Sequence, residues 1–177
     1  MSSLFLVPVG DVPDRMMHEV LDFLVLRLGV EGRMADVVVD PFPAFEPGRS
    51  QYNSRELLKI LATHSERLEA PVLGMTDVDL YSVIFTFVIG EAQLAGSAGI
   101  FSLHRLRPSV YGLPKDEVLL MERAKKEALH ESGHLVGLVH CRHPFCVMRF
   151  CAIVEEVDLK SDELCPACLA RLAELSC

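Results

Sequence analysis

Four residues in the run HESGHLVGLVH, between His130 and His140, have the types and spacing of a metal site with an attached base. Residues four apart on a helix lie about 40° apart around its axis and one turn apart along it. His130 and His134 can therefore offer their imidazoles to one ion. Gly137 follows His134 by three residues, and a glycine at a helix end allows the sharp turn that would bring His140 back toward the same ion. Three protein ligands leave a fourth zinc position for water, the arrangement of catalytic sites. Zinc lowers the pKa of such a water, and Glu131, next to His130, can take its proton and pass it to a leaving amine. The plain alternative is a chance repeat of surface or core histidines. HExxH alone does not decide the matter, but Gly137 and His140 at these offsets favour the metal site.

A second constellation follows at once. All six cysteines lie in the last 37 residues, and Cys141, Cys146, Cys165 and Cys168 end in a C-x2-C pair. Such a pair brings two thiolates onto one ion with little strain, and the other two complete a tetrahedron, so the expected role is a closed structural zinc site. Disulfides or free buried thiols are the alternative, but a disulfide scaffold would spread its bridges over the chain. His143 could replace one sulfur, although four are already present. Cys151 and Cys177 are left over and read as ordinary small residues. Because Cys141 directly follows His140, fixing the cysteine site should fix the backbone that carries the third imidazole.

These groups need a scaffold. Residues 3–10 read as a buried strand ended by Gly10. Residues 13–29 read as a helix with Met17, Val20, Leu21, Leu24, Val25 and Leu28 on one stripe and Gly29 as its cap. A second strand is expected over 34–40, a surface loop over 41–52, a helix over 55–68 capped by Ser54, and a short strand over 71–75. The apolar runs 83–89 and 98–103 suggest a hairpin or neighbouring strands. A long helix starts near Pro114, with Asp116 and Glu117 in its first turn, and carries the histidines to about Val136. Gly133 inside this helix costs about 1 kcal/mol relative to alanine, which points to close packing there. A closing helix is expected over 166–175. The order gives an α/β fold with a mixed five-stranded sheet and one antiparallel edge strand. It forms a single domain over 1–177, with an N-terminal part (1–137) holding the sheet and active-site helix and a cysteine-rich part (138–177).

Composition narrows the partners. The 177 residues carry a formal net charge of −8 and half of them are hydrophobic, which suits one domain with a proper core. There is no Lys/Arg-rich run, so neither nucleic acid nor an anionic membrane is the expected main partner. No stretch reaches the length of a membrane span, and the start MSSLFLVPVGD lacks the basic lead-in of a signal peptide. A cytoplasmic monomer is the expectation. Asparagine and glutamine are nearly absent (Asn53, Gln51 and Gln93), a scarcity found in proteins that work hot.

The pattern H-E-x-x-H-x-x-G-x-x-H-C, then x4-C-x-M, a spacer and C-x-x-C, resembles the archaemetzincins, a branch of the metzincin zinc peptidases. TDVDLY at 76–81 and SLHRLRP at 102–108 are similar to stretches of the same family. The resemblance implies a metallopeptidase with two zinc ions. His130, His134 and His140 would bind the catalytic zinc with Glu131 as base, and Cys141, Cys146, Cys165 and Cys168 would hold the other. It implies that Met148 is the methionine of the Met-turn, an apolar floor beneath the catalytic metal; on its own Met148 would pass for core filler. The substrate would be a peptide or unfolded protein, held along an edge strand at either 83–89 or 97–103. Three departures are visible. Sixteen residues separate Met148 from Cys165, one fewer than the family pattern. Phe150 stands where some metzincins carry a zinc-binding tyrosine, and the inhibitory pro-segment of secreted relatives is not expected here.

Other polar residues are candidates for lesser roles. Glu91, Asp77 and Asp79 could anchor a substrate amine, although Asp77 and Asp79 fit a strand end or turn better. His104 reads as structural or surface, and His64 as a core histidine. A zinc-stabilised binding or scaffold module with little turnover is the competing function. Glu131 argues against it, because a structural site needs no base.

Overall fold

The computed structural model describes residues 2–175, so Cys177 lies outside the described residues. Strand β1 (Ser3–Val9) leads into helix α1 (Asp14–Leu28). The helix buries Met16, Met17, Val20, Leu21 and Leu24 and stops at Gly29, whose φ of 65° is left-handed and whose N–H bonds Val25 O. Strand β2 is Glu31–Met34, earlier than the 34–40 expected, and Val39 adds only an isolated bridge to Val9. The apolar run Val37–Val39 therefore pairs with β1 only at that one bridge. The register Ser3↔Glu31 through Leu6↔Met34 selects the more polar segment at this edge.

Residues 41–52, expected as loop, contain a 3-10 turn and two short strands, β3 (Phe45–Glu46) and β4 (Gln51–Asn53). Helix α2 (Ser54–Leu68) is capped by Asn53, whose side chain accepts from Arg55 N, and not by Ser54. Strands β5 (Val72–Thr76), β6 (Leu80–Tyr81), β7 (Gly90–Ala92) and β8 (Ala98–Ser102) follow. Helix α3 (Glu117–Leu135) is the longest element, and α4 (Val154–Leu159) and α5 (Pro166–Leu175) close the chain.

The main sheet has the order β2-β1-β5-β8-β7, and β3-β4-β6 form a second, smaller one. In the main sheet every pair is parallel except β7 with β8, where Gly90 opposes Phe101. The expected antiparallel edge strand is thus present, but it is Gly90–Ala92 and neither run proposed for it. Residues 83–87 form a loop with Val83, Ile84 and Phe85 exposed, and Val88 makes an isolated antiparallel bridge to Leu80. Arg49 Nη2 and Gln51 Nε2 donate to Thr86 O at 2.9 and 3.0 Å and hold this loop away from the sheet.

Central strands β5 and β8 are buried along their whole length, because helices cover both faces. One core forms where α1 and α3 pack on the sheet, and a second where α2 covers the other face. Helix α3 touches β8 and β7, which sets its site-bearing end against the antiparallel edge.

Candidate metal centres

Asp116 starts α3 by accepting from Leu119 N at 2.9 Å, and the helix runs on to Leu135. His130 and Glu131 are both buried on its inner face. His130 Nδ1 lies 2.8 Å from Val147 O, and His134 Nδ1 lies 2.8 Å from Leu138 O. A carbonyl oxygen only accepts, so each Nδ1 must carry the proton and each Nε2 keeps its lone pair. The two Nε2 atoms face each other at 3.2 Å. Two lone pairs at that distance repel unless a cation stands between them. Nitrogens held about 2.0–2.1 Å from a common tetrahedral centre would stand roughly 3.4 Å apart, so the donor set fits a zinc-sized ion.

Gly137 turns the chain at a φ of 96°, where its N–H bonds His134 O and Leu138 N bonds Gly133 O. The chain then doubles back, and the His140 ring stands 5.3 Å from that of His130 and 4.8 Å from that of His134. The ligand atoms of all three histidines lie within 4.8 Å of one another. Burial disfavours the cationic form of each ring: His130 is pushed down to about 3, and His134 and His140 are lowered as well. Neutral imidazole is the form that ligates metal.

Glu131 sits beside these rings with its Oε2 buried and without a hydrogen-bond partner. Burial, and then the charge of Glu127, push its carboxyl well above the usual range, with Lys160 opposing. A carboxylate of raised proton affinity is suited to taking a proton. The histidines and Glu131 line a cavity of about 360 Å³ that also reaches Phe87, Ile89, Gly90, Phe150 and Lys160.

The four expected sulfurs also converge. Cys141 Sγ is 3.8 Å from Cys165 Sγ, and Cys146 Sγ is 3.7 Å from Cys168 Sγ. A disulfide would be about 2.05 Å long, so these pairs are not bridged. Four sulfurs about 2.3 Å from one tetrahedral ion would stand roughly 3.8 Å apart. The backbone N–H of Cys165 donates to Cys146 Sγ at 3.4 Å, and that of His143 to Cys141 Sγ at 3.4 Å. Backbone hydrogen bonding at Cys168 helps to lower the Cys165 thiol to about 7, whereas burial raises the Cys146 and Cys168 thiols. His143 is exposed and stands outside the cluster.

Backbone contacts join the two clusters. Val147, whose carbonyl faces His130, donates its N–H to Glu163 O at 3.0 Å, and Cys141 N donates to Met148 O at 2.9 Å. Met148 is fully buried beneath α3. A Cβ on Gly133 would fall 2.4 Å from Met148 Sδ, which explains the glycine inside this helix. Phe150 packs its ring 5.2 Å from that of His140.

Of the remaining candidates, only Glu91 reaches this cavity among the described residues. Asp79 is paired with Arg105 and accepts from Gln51, and Asp77 is paired with Arg107. Both are structural pairs near strand ends. Glu91 lines the same cavity as the histidines and Glu131, at its α2 side, where Ser54 Oγ donates to it and Arg55 Nε lies at 3.5 Å. His104 and His64 are half-buried. Sequence reasoning missed Glu127 and Lys160, a buried pair at the inner end of the cavity, with Nζ and Oε1 2.8 Å apart. Lys160 reads locally as one charge in the polar run VDLKSDE.

A model of peptidase family M54 matches residues 43–174. The archaemetzincin of Methanocaldococcus jannaschii is 44% identical over 94% of this chain and 90% of its own length. This chain belongs to peptidase family M54, the archaemetzincins. The archaemetzincin of Pyrococcus furiosus is 37% identical over 97% of this chain and 92% of its own. Among solved structures, a zinc-dependent peptidase from Methanocorpusculum labreanum superposes with a TM-score of 0.86 at 29% identity, covering 96% of this chain and 99% of that one. An archaemetzincin from Archaeoglobus fulgidus, solved with malonate, gives 0.82 at 30% identity over the same shares. This chain is thus a mixed α/β domain that matches solved archaemetzincins, with a cluster of cysteines near its C-terminus. No helix among the described residues is long and apolar enough to cross a membrane.

Proposed function

We propose that this M54 chain is a zinc-dependent metallopeptidase that hydrolyses bonds in peptides or unfolded protein, with Glu131 as the general base. The carrying observation is the pair of Nε2 lone pairs facing each other at 3.2 Å beside an unpartnered, buried carboxylate oxygen. His130, His134 and His140 would hold the catalytic zinc. Cys141, Cys146, Cys165 and Cys168 would hold a second, structural one. When bound at the histidines, zinc supplies Lewis acidity toward the scissile carbonyl and lowers the pKa of water. Glu131 takes a proton from the attacking water and gives it to the leaving amine. Val147 O and Leu138 O orient the His130 and His134 rings and fix their tautomers. Met148 supplies the apolar floor under these rings and excludes water from that side. The free side of β7 offers backbone groups that an extended peptide could pair with.

A panel of quenched peptides, run on the zinc-loaded chain and on Glu131→Ala, tests this. Cleavage should fall about 10²–10⁴-fold in the variant while its zinc content stays unchanged. A wild-type chain that binds two zinc ions and cleaves nothing across a wide panel would be a binding module instead.

A further inference from the structure

Gly90 begins the antiparallel edge strand β7, opposite Phe101 of β8. Glycine weakens a strand interior and marks either unusual backbone torsion or a close approach. Torsion is not the reason, because the glycines of positive φ are Gly10, Gly29, Gly112 and Gly137. Space is the reason. A Cβ built on Gly90 would lie 2.4 Å from Glu131 Oε1 and 2.8 Å from both its Cδ and its Cγ. Carbon atoms in good contact stand about 3.5–4.0 Å apart, so no side chain fits while Glu131 keeps its place.

Glu131 has little else to hold it. Its Oε2 has no hydrogen-bond partner, and the residue is only 4% exposed. The carboxylate is therefore located by packing, and the surface it packs on is the bare backbone of β7 at Gly90. Residue 91 faces the other way, toward Ser54 and Arg55 on the α2 side.

We infer that Gly90 is a positioning residue for Glu131: its missing side chain sets where the carboxylate stands over the histidines. This rests on Glu131 being the base, as proposed above. Its meaning for the reaction follows from topology. Strand β7 is last in the sheet order, so its outer side is free to pair with an extended peptide. The backbone that would align the scissile bond and the backbone that locates the base are then one three-residue strand.

Two measurements on the zinc-loaded full chain test this. Gly90→Ala should lower kcat about 10²-fold, the cost of an ångström-scale misplacement, with KM within roughly twofold and zinc content unchanged. Thermal unfolding of Gly90→Ala, Glu131→Ala and the double variant forms a cycle that needs no turnover. The added methyl should lower Tm by a few degrees when Glu131 is present and by nothing when it is truncated. If Gly90→Ala does not fold alone, recovery in the Glu131→Ala chain supports the inference. An equal loss of Tm in both backgrounds overturns it, as does a Gly90→Ala enzyme of wild-type kcat. Loss of zinc in Gly90→Ala also overturns it, since the ligands and not the base would then have moved. A wild-type chain that cleaves no peptide overturns the proposed function and is told apart by the cycle, which reads the contact alone.

Discussion

Lys160 Nζ stands 2.8 Å from Glu127 Oε1, with the two side chains only 1% and 6% exposed, one helical turn before Glu131. This ion pair ties α3 to the chain leaving α4. Burial alone would neutralise both groups. The mutual attraction outweighs it and holds Glu127 below its ordinary range and Lys160 above. Removing one partner strands a buried charge, so Lys160→Met should cost about 3–5 kcal/mol. The double change Lys160→Met with Glu127→Leu should cost less than either single change. Urea unfolding gives these values, and strictly additive costs would show that the pair is not coupled.

Gly133 and Met148 give a prediction of unusual sign. In an exposed helix interior Gly→Ala stabilises by about 1 kcal/mol. Here the new methyl would meet Met148 Sδ at 2.4 Å, so Gly133→Ala should lower Tm. With Met148→Ala in place, the same substitution should be neutral or stabilising. A rise in Tm for Gly133→Ala alone would show that Met148 yields freely.

The cysteine cluster can be tested by metal content. The chain purified without chelator should carry two zinc ions, and Cys165→Ala should lose one. Because Cys141 follows His140 and its N–H bonds Met148 O, the variant should also hold its histidine-site zinc more weakly and turn over more slowly. Wild-type activity with one zinc fully absent would separate the two centres.

Acid should act on the pairs beside the small sheet. Burial would raise the Asp79 carboxyl, but Arg105 and Gln51 outweigh it and hold the pKa below its ordinary 3.8. A depressed carboxylate stabilises the fold above its unfolded pKa and loses that contribution as pH falls through the folded value. The stability gap between wild type and Asp79→Asn should therefore be constant near neutral pH and shrink below about pH 3.8. Parallel stability curves down to pH 2 or so would sink the assignment.

The histidine and cysteine clusters were legible in the sequence because much of their geometry is local. His130 and His134 share a helix face, Gly137 marks the turn, and Cys165 and Cys168 are a single C-x2-C. Helices α1, α2 and α3 announced themselves by periodicity and end signals, although Asn53 and not Ser54 caps α2. What stayed hidden depends on distant partners. Glu127 and Lys160 are 33 residues apart, and nothing near Lys160 marks it as buried. The segment 83–89 has the composition of a strand, yet its polar tethers to Arg49 and Gln51 make most of it a loop. Gly90–Ala92 has no strand signature and pairs because β8 presents a free edge. Helix α4 is too short for its period to stand out.

The turn at Gly137 also says where this chain can change length. Only Leu138 and Val139 separate it from His140, and Leu138 already bonds both Gly133 and His134 through its backbone. One residue added or removed there would swing a valine or a cysteine into the imidazole's place, with no slack to absorb the shift. Between Met148 and Cys165, Asp158, Lys160 and Glu163 are tied to Arg123, Glu127 and Val147, so a change of length is absorbed in the coil ahead of α4 and not after it.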